Sequence, residues 1–493
     1  MPRSLPLAVR ALAALLLVLS GTLLSAQAQA PVTYTETTLD GQPAVRVASG
    51  SGGGIAHPEQ GADVTWTADK TWILDGLIFV NEGQTLTIEP GTVVKAEEGT
   101  GRDASALVVA RGGRLVADGT AQQPIIFTSI TDDVTTVDDL ARNARGLWGG
   151  IIVMGRAPLN TSPSVLNVEG ITLNEIRNQY GGDDPDDDSG VLRYVSIRHG
   201  GSILEEGNEI NGLTLAGVGR GTTVEYVEVF NNKDDGFEFF GGTVDARYLV
   251  SAFATDDAFD MDQGYRGRGQ FWIAVQNNVY AERAGEHDGG EASYGGEDRT
   301  PYATPTIANA TYIGSGLDGE GGMALMMRDN FAGSYLNSVF LDFPGHALKI
   351  EDPPGDDTGD SRARFEEGTI QIAGNVFFNI GATIAAGSGG GTRGLVGNDG
   401  PFGAQLADTL AQANTMASQL PIQDRRRNRY GMLTQLNPRA AGAAVTSNVG
   451  LPAADFFQPV DYRGAVPPDA NWAASWTYIG AGGAAHPGLG IMQ

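Results

Sequence analysis

The 493-residue chain contains no cysteine, which excludes disulfides, thiol nucleophiles and cysteine-based zinc sites. Basic residues are also scarce, since 32 Lys and Arg stand against 59 Asp and Glu and give a net charge of -27. Nucleic-acid binding depends on Lys and Arg that neutralise phosphates, so we expect no nucleic-acid partner. Acidity of this kind fits solvation, a high-salt habitat or divalent-cation binding.

The first residues carry a targeting pattern. Arg3 and Arg10 precede an apolar run, Ala11 to Leu24, that ends in the small residues of "SAQAQA". The run is too short to span a bilayer, and small residues suit signal peptidase, so we interpret residues 1–28 as a secretory signal peptide. No later segment is apolar for the roughly 18 residues that a membrane span needs. We therefore expect an exported protein of the periplasm, cell surface or extracellular space, with no transmembrane segment after cleavage.

Helical patterns are scarce before residue 400, and short β segments take their place. Examples are "QTLTIEPGTVVKA", "WGGIIVMG" and "TVEYVEVF", which are rich in Val, Ile, Thr or aromatic residues. The chain has 70 glycines, about twice ordinary usage, which indicates many tight turns. The gaps between segments are too short for helical crossovers, so an all-β fold is predicted rather than a doubly wound sheet.

A repeat of twenty-two residues selects among the all-β folds. "NNKDDGFEFF" begins at Asn231 and "FATDDAFDMD" at Phe253, and Tyr226 and Tyr248 are separated by the same interval. Tyr194 is offset by ten more residues, which fits a loop around "EEGNEI". A repeat of roughly twenty residues is one solenoid turn, in which each strand lies about 4.8 Å from its image. The sequence thus predicts a single parallel β-helix, or β-solenoid, and we expect it to be a monomer.

The predicted organisation has four parts after the signal peptide. They are an N-terminal lead-in or cap (29–60), the β-helix (61–380), a Gly-rich and helical excursion (381–440) and an irregular C-terminal cap (441–493). In the excursion, "AQLADTLAQANTMASQL" has helical spacing, and "DRRRNRY" is the only basic cluster of the chain. Near the end, "AASWTYIG" is predicted to be a closing strand. A cap is expected because the exposed end of a solenoid offers an open edge for aggregation.

Two sets of motifs resemble known proteins. The run "LTIEPGTVVKAEEGTGRDASALVVARGGRLVADGTAQQPIIFTS" resembles the opening coils of secreted, right-handed parallel β-helix proteins of the pectin-lyase-like class. "GLWGGIIVMGRAPLN", "LRYVSIRHGG" and "GEHDGG" resemble uncharacterised exported bacterial surface proteins, often described as type IX secretion or hypothetical proteins. The resemblance covers roughly residues 65 to 380. It implies a right-handed parallel β-helix and a class rich in polysaccharide lyases and hydrolases, without one established activity.

The acidic pairs of the repeat precede two strands at equivalent turns. Stacked coils would place these carboxylates beside their own images, and like charges that close raise one another's pKa values or require a cation. Calcium is the predicted cofactor because it accepts about six to eight oxygen ligands in flexible geometry. The candidate ligands are Asp234, Asp235, Glu238, Asp256, Asp257, Asp260 and Asp262. The aspartates also fit turn formers that bind backbone N–H groups, or catalytic acids, and the sequence leaves these alternatives open.

Catalysis is considered because the class implied by the resemblance contains many polysaccharide-cleaving enzymes. The order "NNKDD", "TDD", "EHDGG", "ALKIED" is loosely similar to polygalacturonase motifs, although the spacings differ. Two carboxylates on neighbouring coils also satisfy the separation that glycoside hydrolysis requires. The candidate catalytic residues are Asp257, Asp235 and His287.

Candidate ligand-binding residues lie near the acidic repeat. "YRGRGQFW" supplies Tyr265 and Trp272 for stacking on a sugar ring and Arg266 and Arg268 for acidic groups, and "RHGG" supplies His199. The favoured function is a secreted or cell-surface protein that binds polysaccharide or cell-envelope glycan, with calcium-stabilised acidic turns. The alternative is a lyase or glycoside hydrolase that acts on acidic polysaccharide.

Overall fold

The computed structural model describes most of the chain after its first 29 residues. The described ranges are 30–171, 175–205, 208–319, 322–353, 361–381, 394–453 and 455–493. The predicted signal peptide and most of the Gly-rich stretch "GATIAAGSGGGTRG" lie outside these ranges. Within the described ranges no helix is long and apolar enough to cross a bilayer.

Short strands dominate the described chain. The strands are β1 (Thr33–Leu39), β2 (Gln42–Ala48), β3 (Asp63–Trp66), β4 (Thr71–Asp75), β5 (Leu77–Val80), β6 (Thr85–Ile88), β7 (Val93–Ala96), β8 (Ala106–Val109), β9 (Arg114–Asp118), β10 (Ile125–Ser129), β11 (Ile151–Met154), β12 (Leu166–Asn167), β13 (Gln179–Tyr180), β14 (Gly190–Arg198), β15 (Ile203–Glu205), β16 (Asn208–Glu209), β17 (Leu213–Ala216), β18 (Thr223–Phe230), β19 (Phe237–Phe240), β20 (Ala246–Ala252), β21 (Phe259–Asp262), β22 (Arg268–Gln270), β23 (Ile273–Val275), β24 (Arg283–Asp288), β25 (Thr306–Ala308), β26 (Thr311–Ile313), β27 (Met323–Arg328), β28 (Ser334–Leu336), β29 (Val339–Leu341), β30 (His346–Ile350), β31 (Gln371–Ala373), β32 (Val376–Phe378), β33 (Thr415–Met416), β34 (Ile422–Arg427), β35 (Leu433–Ala440), β36 (Gly482–Gly483) and β37 (His486–Pro487). The helices are α1 (Ser361–Glu366) and α2 (Gly400–Ala413), with 3₁₀ turns at Gly101–Asp103, Ala292–Tyr294 and Ala443–Val445.

The strands wind into a solenoid with three parallel ladders, which we call its faces. The first face runs β3–β6–β9–β14–β18–β20–β22–β25–β28–β31. The second runs β2–β4–β7–β10–β14–β18–β20–β23–β26–β29–β32–β33. The third runs β5–β8–β11–β17–β19–β21–β24–β27–β30. The predicted parallel β-helix is confirmed.

The tyrosine repeat marks the corner between the first and second faces. Tyr194, Tyr226, Tyr248 and Phe271 occupy equivalent positions with φ of 51°, 55°, 60° and 62°. Aromatic residues disfavour this left-handed region. Their rings stack from coil to coil, with centroids 4.4, 4.2 and 5.0 Å apart. The stacking and the edge of Trp472 against the Tyr226 and Tyr248 rings hold the corner in that conformation.

A hairpin accounts for the longer interval after Tyr194. β15 and β16 pair antiparallel between β14 and β17, where the loop around "EEGNEI" was predicted. The hairpin adds residues without disturbing the ladders, because β14 and β17 continue their own parallel pairings. The predicted bulge is therefore confirmed.

The end of the solenoid is closed by helix α2 rather than by the C-terminal segment. Phe402, Leu406 and Leu410 of α2 are buried in the core that fills the solenoid, and α2 has the helical form predicted for this segment. Residues 441–493 were predicted to cap the end, but they lie along the outer side of the second face. There their apolar side chains pack against strand residues from Phe230 to Val376.

The predicted closing strand "AASWTYIG" is wrong. Residues 472–480 form a series of turns. The backbone N–H groups of Tyr478 and Ile479 donate to the buried carboxylate of Glu228 at 2.7 and 3.0 Å, so these donors are satisfied without a strand partner.

Because one side of α2 packs into the end of the solenoid, substitutions on its buried and exposed sides should differ in their effect on the stability of the protein. Leu406→Ala removes a fully buried side chain and is expected to lower the free energy of unfolding by about 2–5 kcal/mol. The matched control Gln405→Ala changes an exposed neighbour and is expected to alter stability by less than about 0.5 kcal/mol. Urea unfolding followed by circular dichroism measures both. Equal losses would contradict the assigned closing role of α2.

Candidate functional site

The third face carries the acidic repeat in the predicted register. Phe237 pairs with Phe259 and Glu238 with Asp260. The Phe237 and Phe259 rings stack inside the core with centroids 5.2 Å apart. Because neighbouring residues of a strand point to opposite sides, Glu238 and Asp260 point away from the core, as predicted from the repeat.

Further carboxylates extend this column along the outer surface. Glu286 pairs with Asp260, while Thr214 precedes Glu238 on the other side. A parallel column two residues further along the strands contains Asp262 and Asp288. We call the outer surface formed by Glu238, Asp260, Asp262, Glu286 and Asp288 the acidic face.

The turn before this surface is built by two aspartates that bind backbone. Asp235 Oδ1 accepts a hydrogen bond from the Asp257 N–H at 2.8 Å, and Asp257 Oδ1 accepts one from the Arg283 N–H at 2.6 Å. Each aspartate thus fixes the start of the next coil. The turn-former interpretation is confirmed for both residues, and each keeps a second carboxylate oxygen for another partner.

Three carboxylates converge at the base of the acidic face. One oxygen each of Asp235, Glu238 and Asp260 lies within 4.8 Å of the others. Glu238 is only 3% exposed, and its Oε2 lies 3.4 Å from Asn211 Nδ2. Among the described residues, none donates a hydrogen bond to its Oε1. Burial and the neighbouring carboxylates raise the pKa of all three groups well above their usual range. This three-carboxylate cluster therefore needs either protons or a cation.

A second group of carboxylates lies at the same turn, nearer to solvent. Oxygens of Asp234, Asp235 and Asp256 again lie within 4.8 Å of one another. Burial and Asp256 raise the pKa of Asp234 to about 7, and burial and Glu282 raise that of Asp256 to about 7. The predicted ligands Asp257 and Asp262 belong to neither of these two groups.

Two arginines that sequence reasoning missed lie beside the acidic face. Arg283 Nη1 is 3.2 Å from Asp257 Oδ2 and 2.9 Å from Glu286 Oε2. Arg328 Nη1 is 3.0 Å from Glu286 Oε1, and its Nε is 2.6 Å from Asp288 Oδ1. These pairs neutralise the later coils of the acidic face, whereas Asp235, Glu238 and Asp260 form no ion pair with Lys or Arg within the described ranges.

A covering loop, residues 155–171 and 175–189, forms a wall over part of the third face. Its apolar side chains pack on the outer surfaces of β8, β11 and β19. Asn160 Nδ2 donates to the Gly289 carbonyl at 2.6 Å, and Asn211 Nδ2 donates to Glu169 Oε1 at 3.1 Å. Burial and Asp234 raise the pKa of Glu169 to about 7. The loop explains why Glu238 is buried although its strand directs it outward.

The predicted catalytic role of His287 is wrong. His287 points into the core, where it is fully buried and stacks on Phe331. Its Nε2 lies 2.7 Å from the Tyr335 hydroxyl. Burial lowers its pKa to about 3, so it stays neutral and out of reach of a surface ligand.

Three predicted ligand-binding residues are also buried. Tyr265 and Trp272 lie in the core and donate to the carbonyls of Val244 and Ala246 at 2.8 and 2.9 Å. His199 is buried, with its Nδ1 2.7 Å from the Ala144 carbonyl. The prediction that these rings contact a sugar is wrong, because none of them is accessible to one.

The two predicted arginines lie away from the acidic face. Arg268 donates to both carboxylate oxygens of Asp245 at the edge of the first face. Arg266 donates to the carbonyls of Gly264 and Pro158 at 2.8 and 3.4 Å. Arg266 therefore stabilises the turn after β21 and Arg268 links the starts of β20 and β22, and the structure does not bring either arginine together with the carboxylates.

This geometry defines the class of protein: it is a parallel β-helix that carries an acidic outer surface on its third face. The sequence matches the family model of the pectate-lyase-like β-helix domain over residues 58–400. The chain belongs to this family, whose fold fits a carbohydrate-related function. No curated protein matches the sequence.

The buried imidazole of His287 predicts an acid-dependent loss of stability. Its pKa is lowered from 6.5 in the unfolded chain to about 3 in the folded one, so the unfolded state gains a proton first as the pH falls below 6.5. This group therefore costs up to about 1.4 kcal/mol of stability per pH unit in that window. His287→Met, which copies the ladder neighbours Met261 and Met327, is expected to lose less stability between pH 7 and pH 5.

Urea unfolding at both pH values measures this difference. His57→Met, at a half-buried histidine near the N-terminus, is the matched control for replacement of an imidazole outside the solenoid core. If wild type and His287→Met lost the same stability on acidification, the neutral buried state of His287 would be excluded.

Proposed function

We propose that this protein is an exported or surface β-helix protein that binds glycan on its acidic face, with calcium held at the three-carboxylate cluster. The observation that carries the proposal is the buried, unpartnered Glu238 Oε1 beside Asp235 and Asp260. Export is supported by the signal-peptide pattern of residues 1–28. Glycan binding is supported by the family to which the chain belongs.

The donor set of the cluster fits calcium better than other common ions. It offers only oxygen ligands, which excludes a preference for zinc or copper. Asp235 and Asp257 each use one oxygen for the backbone, which fixes the position of the Asp235 carboxylate without consuming it. Carboxylates from neighbouring coils form an irregular set of ligands, which suits the flexible coordination of calcium and not the strict octahedron of magnesium.

Calcium also accounts for the charge balance of the acidic face. Arg283 and Arg328 offset part of the charge of Asp257, Glu286 and Asp288, whereas the three-carboxylate cluster has no ion pair with Lys or Arg within the described ranges. A divalent cation there would leave a surface with hydrogen-bond acceptors, two guanidinium groups and a bound cation. Such a surface suits the hydroxyl and carboxylate groups of a sugar chain.

Chelation is expected to destabilise the protein. A ligand that binds only the folded state stabilises it by about 2.7 kcal/mol at one hundred times its dissociation constant. The melting temperature should therefore fall in EDTA, recover with calcium and recover much less with magnesium. Differential scanning calorimetry measures each step.

The double variant Glu238→Gln with Asp260→Asn is expected to remove the calcium dependence of melting. Both replacements keep a carbonyl oxygen, so the hydrogen bond from the Met261 N–H to Asp260 Oδ1, 2.5 Å long, is retained. The control Glu59→Gln changes an exposed glutamate of the lead-in and should retain the wild-type response. A wild-type melting temperature that ignores EDTA would contradict the calcium site.

A second candidate function is a lyase or hydrolase acting on acidic polysaccharide. The observation that favours it is the pair of arginines on either side of Glu286. A lyase base must release its proton, however, and both arginines hold theirs. Burial lowers the pKa of Arg283, but Asp257 and Glu286 raise it more. Burial also lowers the pKa of Arg328, and Asp288 and Glu286 again outweigh it. Binding is therefore the first proposal.

Turnover of uronic-acid polysaccharide separates the two functions. Binding alone predicts neither unsaturated products, read by ultraviolet absorbance, nor new reducing ends when the protein is incubated with polygalacturonate and calcium. Turnover that was lost in Asp257→Asn and kept in Glu59→Gln would establish the enzyme instead. Asp257→Asn retains the oxygen that accepts from Arg283 N–H, so a loss of activity would not reflect a lost turn.

A further inference from the structure

The basic cluster "DRRRNRY" divides its side chains between the solenoid and the solvent. On β34, Arg425 Nη2 donates to the buried Asp342 Oδ1 at 2.7 Å, and Arg427 donates to the Gly314 carbonyl at 2.5 Å. These two arginines fasten the β34–β35 hairpin to the solenoid. The side chains of Arg426 and of Arg429, at the hairpin tip, are exposed to solvent. Packing against the solenoid therefore does not account for these two arginines.

The hairpin tip lies against a turn that exposes apolar groups. Asn278 Nδ2 donates to the Tyr430 carbonyl at 2.7 Å. Tyr430 is 66% exposed, Tyr280 is 47% exposed and Val279 is 44% exposed. Within the described ranges, six large hydrophobic residues are exposed, and three of them lie in these two neighbouring segments. Such clustering marks an interaction surface rather than scattered surface residues.

Each exposed tyrosine ring has a guanidinium group beside it. Arg429 lies 4.6 Å from the Tyr430 ring centroid, and Arg145 lies 5.3 Å from that of Tyr280. Arg145 Nη1 is held by Thr255 Oγ1 at 2.7 Å, while its Nη2 is buried without a hydrogen-bond partner. No ion pair of Arg145 or Arg429 occurs in the described part of the chain, and the exposed Arg429 keeps donors for an anionic ligand.

A small pocket of about 30 Å³ adjoins the turn at Asn277 and Asn278. Its lining is mostly apolar, with Phe230, Phe253 and Leu433 among its residues, and it also includes the side chain of Gln276. Gln276 is only 4% exposed, yet its side-chain nitrogen and oxygen have no hydrogen-bond partner in the part of the chain that the structure describes. A buried amide left in this state is costly, and a ligand with hydroxyl groups would satisfy it.

We propose that this corner, formed by Arg145, residues 276–280 and residues 428–432, is a second binding site for an acidic glycan, one that needs no metal ion. The ligand class follows from the chemistry of the groups. Aromatic rings stack on the apolar face of a sugar, guanidinium groups bind carboxylate or sulfate in a fork, and amides bind hydroxyls. The choice of a glycan rests on the proposed function, while the site itself is independent of the calcium cluster.

Charge complementarity favours an acidic glycan over a neutral one. With a net charge of -27, most of the protein repels a polyanion. The corner instead offers two unpaired guanidinium groups. The same turn continues to Glu282, whose N–H donates to the Asp256 carbonyl at 3.3 Å. The second site therefore adjoins the acidic turn.

Binding of a fluorescein-labelled oligogalacturonide to the full chain in EDTA tests the site. Fluorescence anisotropy is expected to show binding that weakens with salt, and neutral dextran is expected to show none. The double variant Tyr280→Ala with Tyr430→Ala should bind about tenfold more weakly, and Arg145→Ala with Arg429→Ala should lose binding to a similar extent. Tyr280, Tyr430 and Arg429 are exposed, whereas Arg145 is half-buried, so circular dichroism is used to check that each variant folds.

Two matched controls sit elsewhere on the surface. Met416→Ala removes an exposed apolar side chain, and Arg220→Ala removes an exposed arginine; both should bind as wild type does. No binding in EDTA, equal binding of dextran, or full binding by both double variants would overturn the proposal. Failure of the calcium cluster would appear instead as a melting temperature that ignores EDTA, so the two failures are distinguishable.

Discussion

The fold depends on one constraint, the register in which each coil lies on the preceding one. Parallel pairing places each side chain about 4.8 Å from the equivalent side chain of the next coil. Where the sequence repeats, side chains of the same kind therefore stack on one another. For aromatic residues this is favourable, as in the Phe237–Phe259 and Tyr226–Tyr248 stacks. For carboxylates it is unfavourable, and the acidic columns therefore give way to arginine in later coils, at Arg283 and Arg328.

Where the number of residues per coil stays constant, the sequence alone is sufficient to predict which residues pair between coils. The twenty-two-residue repeat correctly predicted the pairing of Glu238 with Asp260. The repeat did not predict the positions of Arg283 and Arg328, because the interval from Asp257 to Arg283 is 26 residues and that from Asp288 to Arg328 is 40. Loops of different length change the spacing of equivalent residues in the sequence, although the strands keep their register in the structure.

Burial was harder to predict than pairing. Alternation correctly assigned Phe237 and Glu238 to opposite sides, but Tyr265 and Trp272 belong to a coil whose turn residues obscure the alternation, and both are in the core. The covering loop has no repeat that would indicate which surface it occupies. It contributes Glu169 to the site and buries Glu238. The electrostatics of the acidic face therefore depend on a segment whose position the sequence pattern did not predict.

The course of the C-terminal segment along the second face makes the last residues of the chain dependent on some of the earlier ones. Tyr478 and Ile479 donate to Glu228, 250 and 251 residues away in the sequence. These contacts cannot form until the middle coils exist, and contacts between such distant residues close slowly. A chain that emerges from the ribosome N-terminus first thus forms these coils before Tyr478 and Ile479 are available to cover the second face. Docking of this segment is the step that ends its exposure to aggregation.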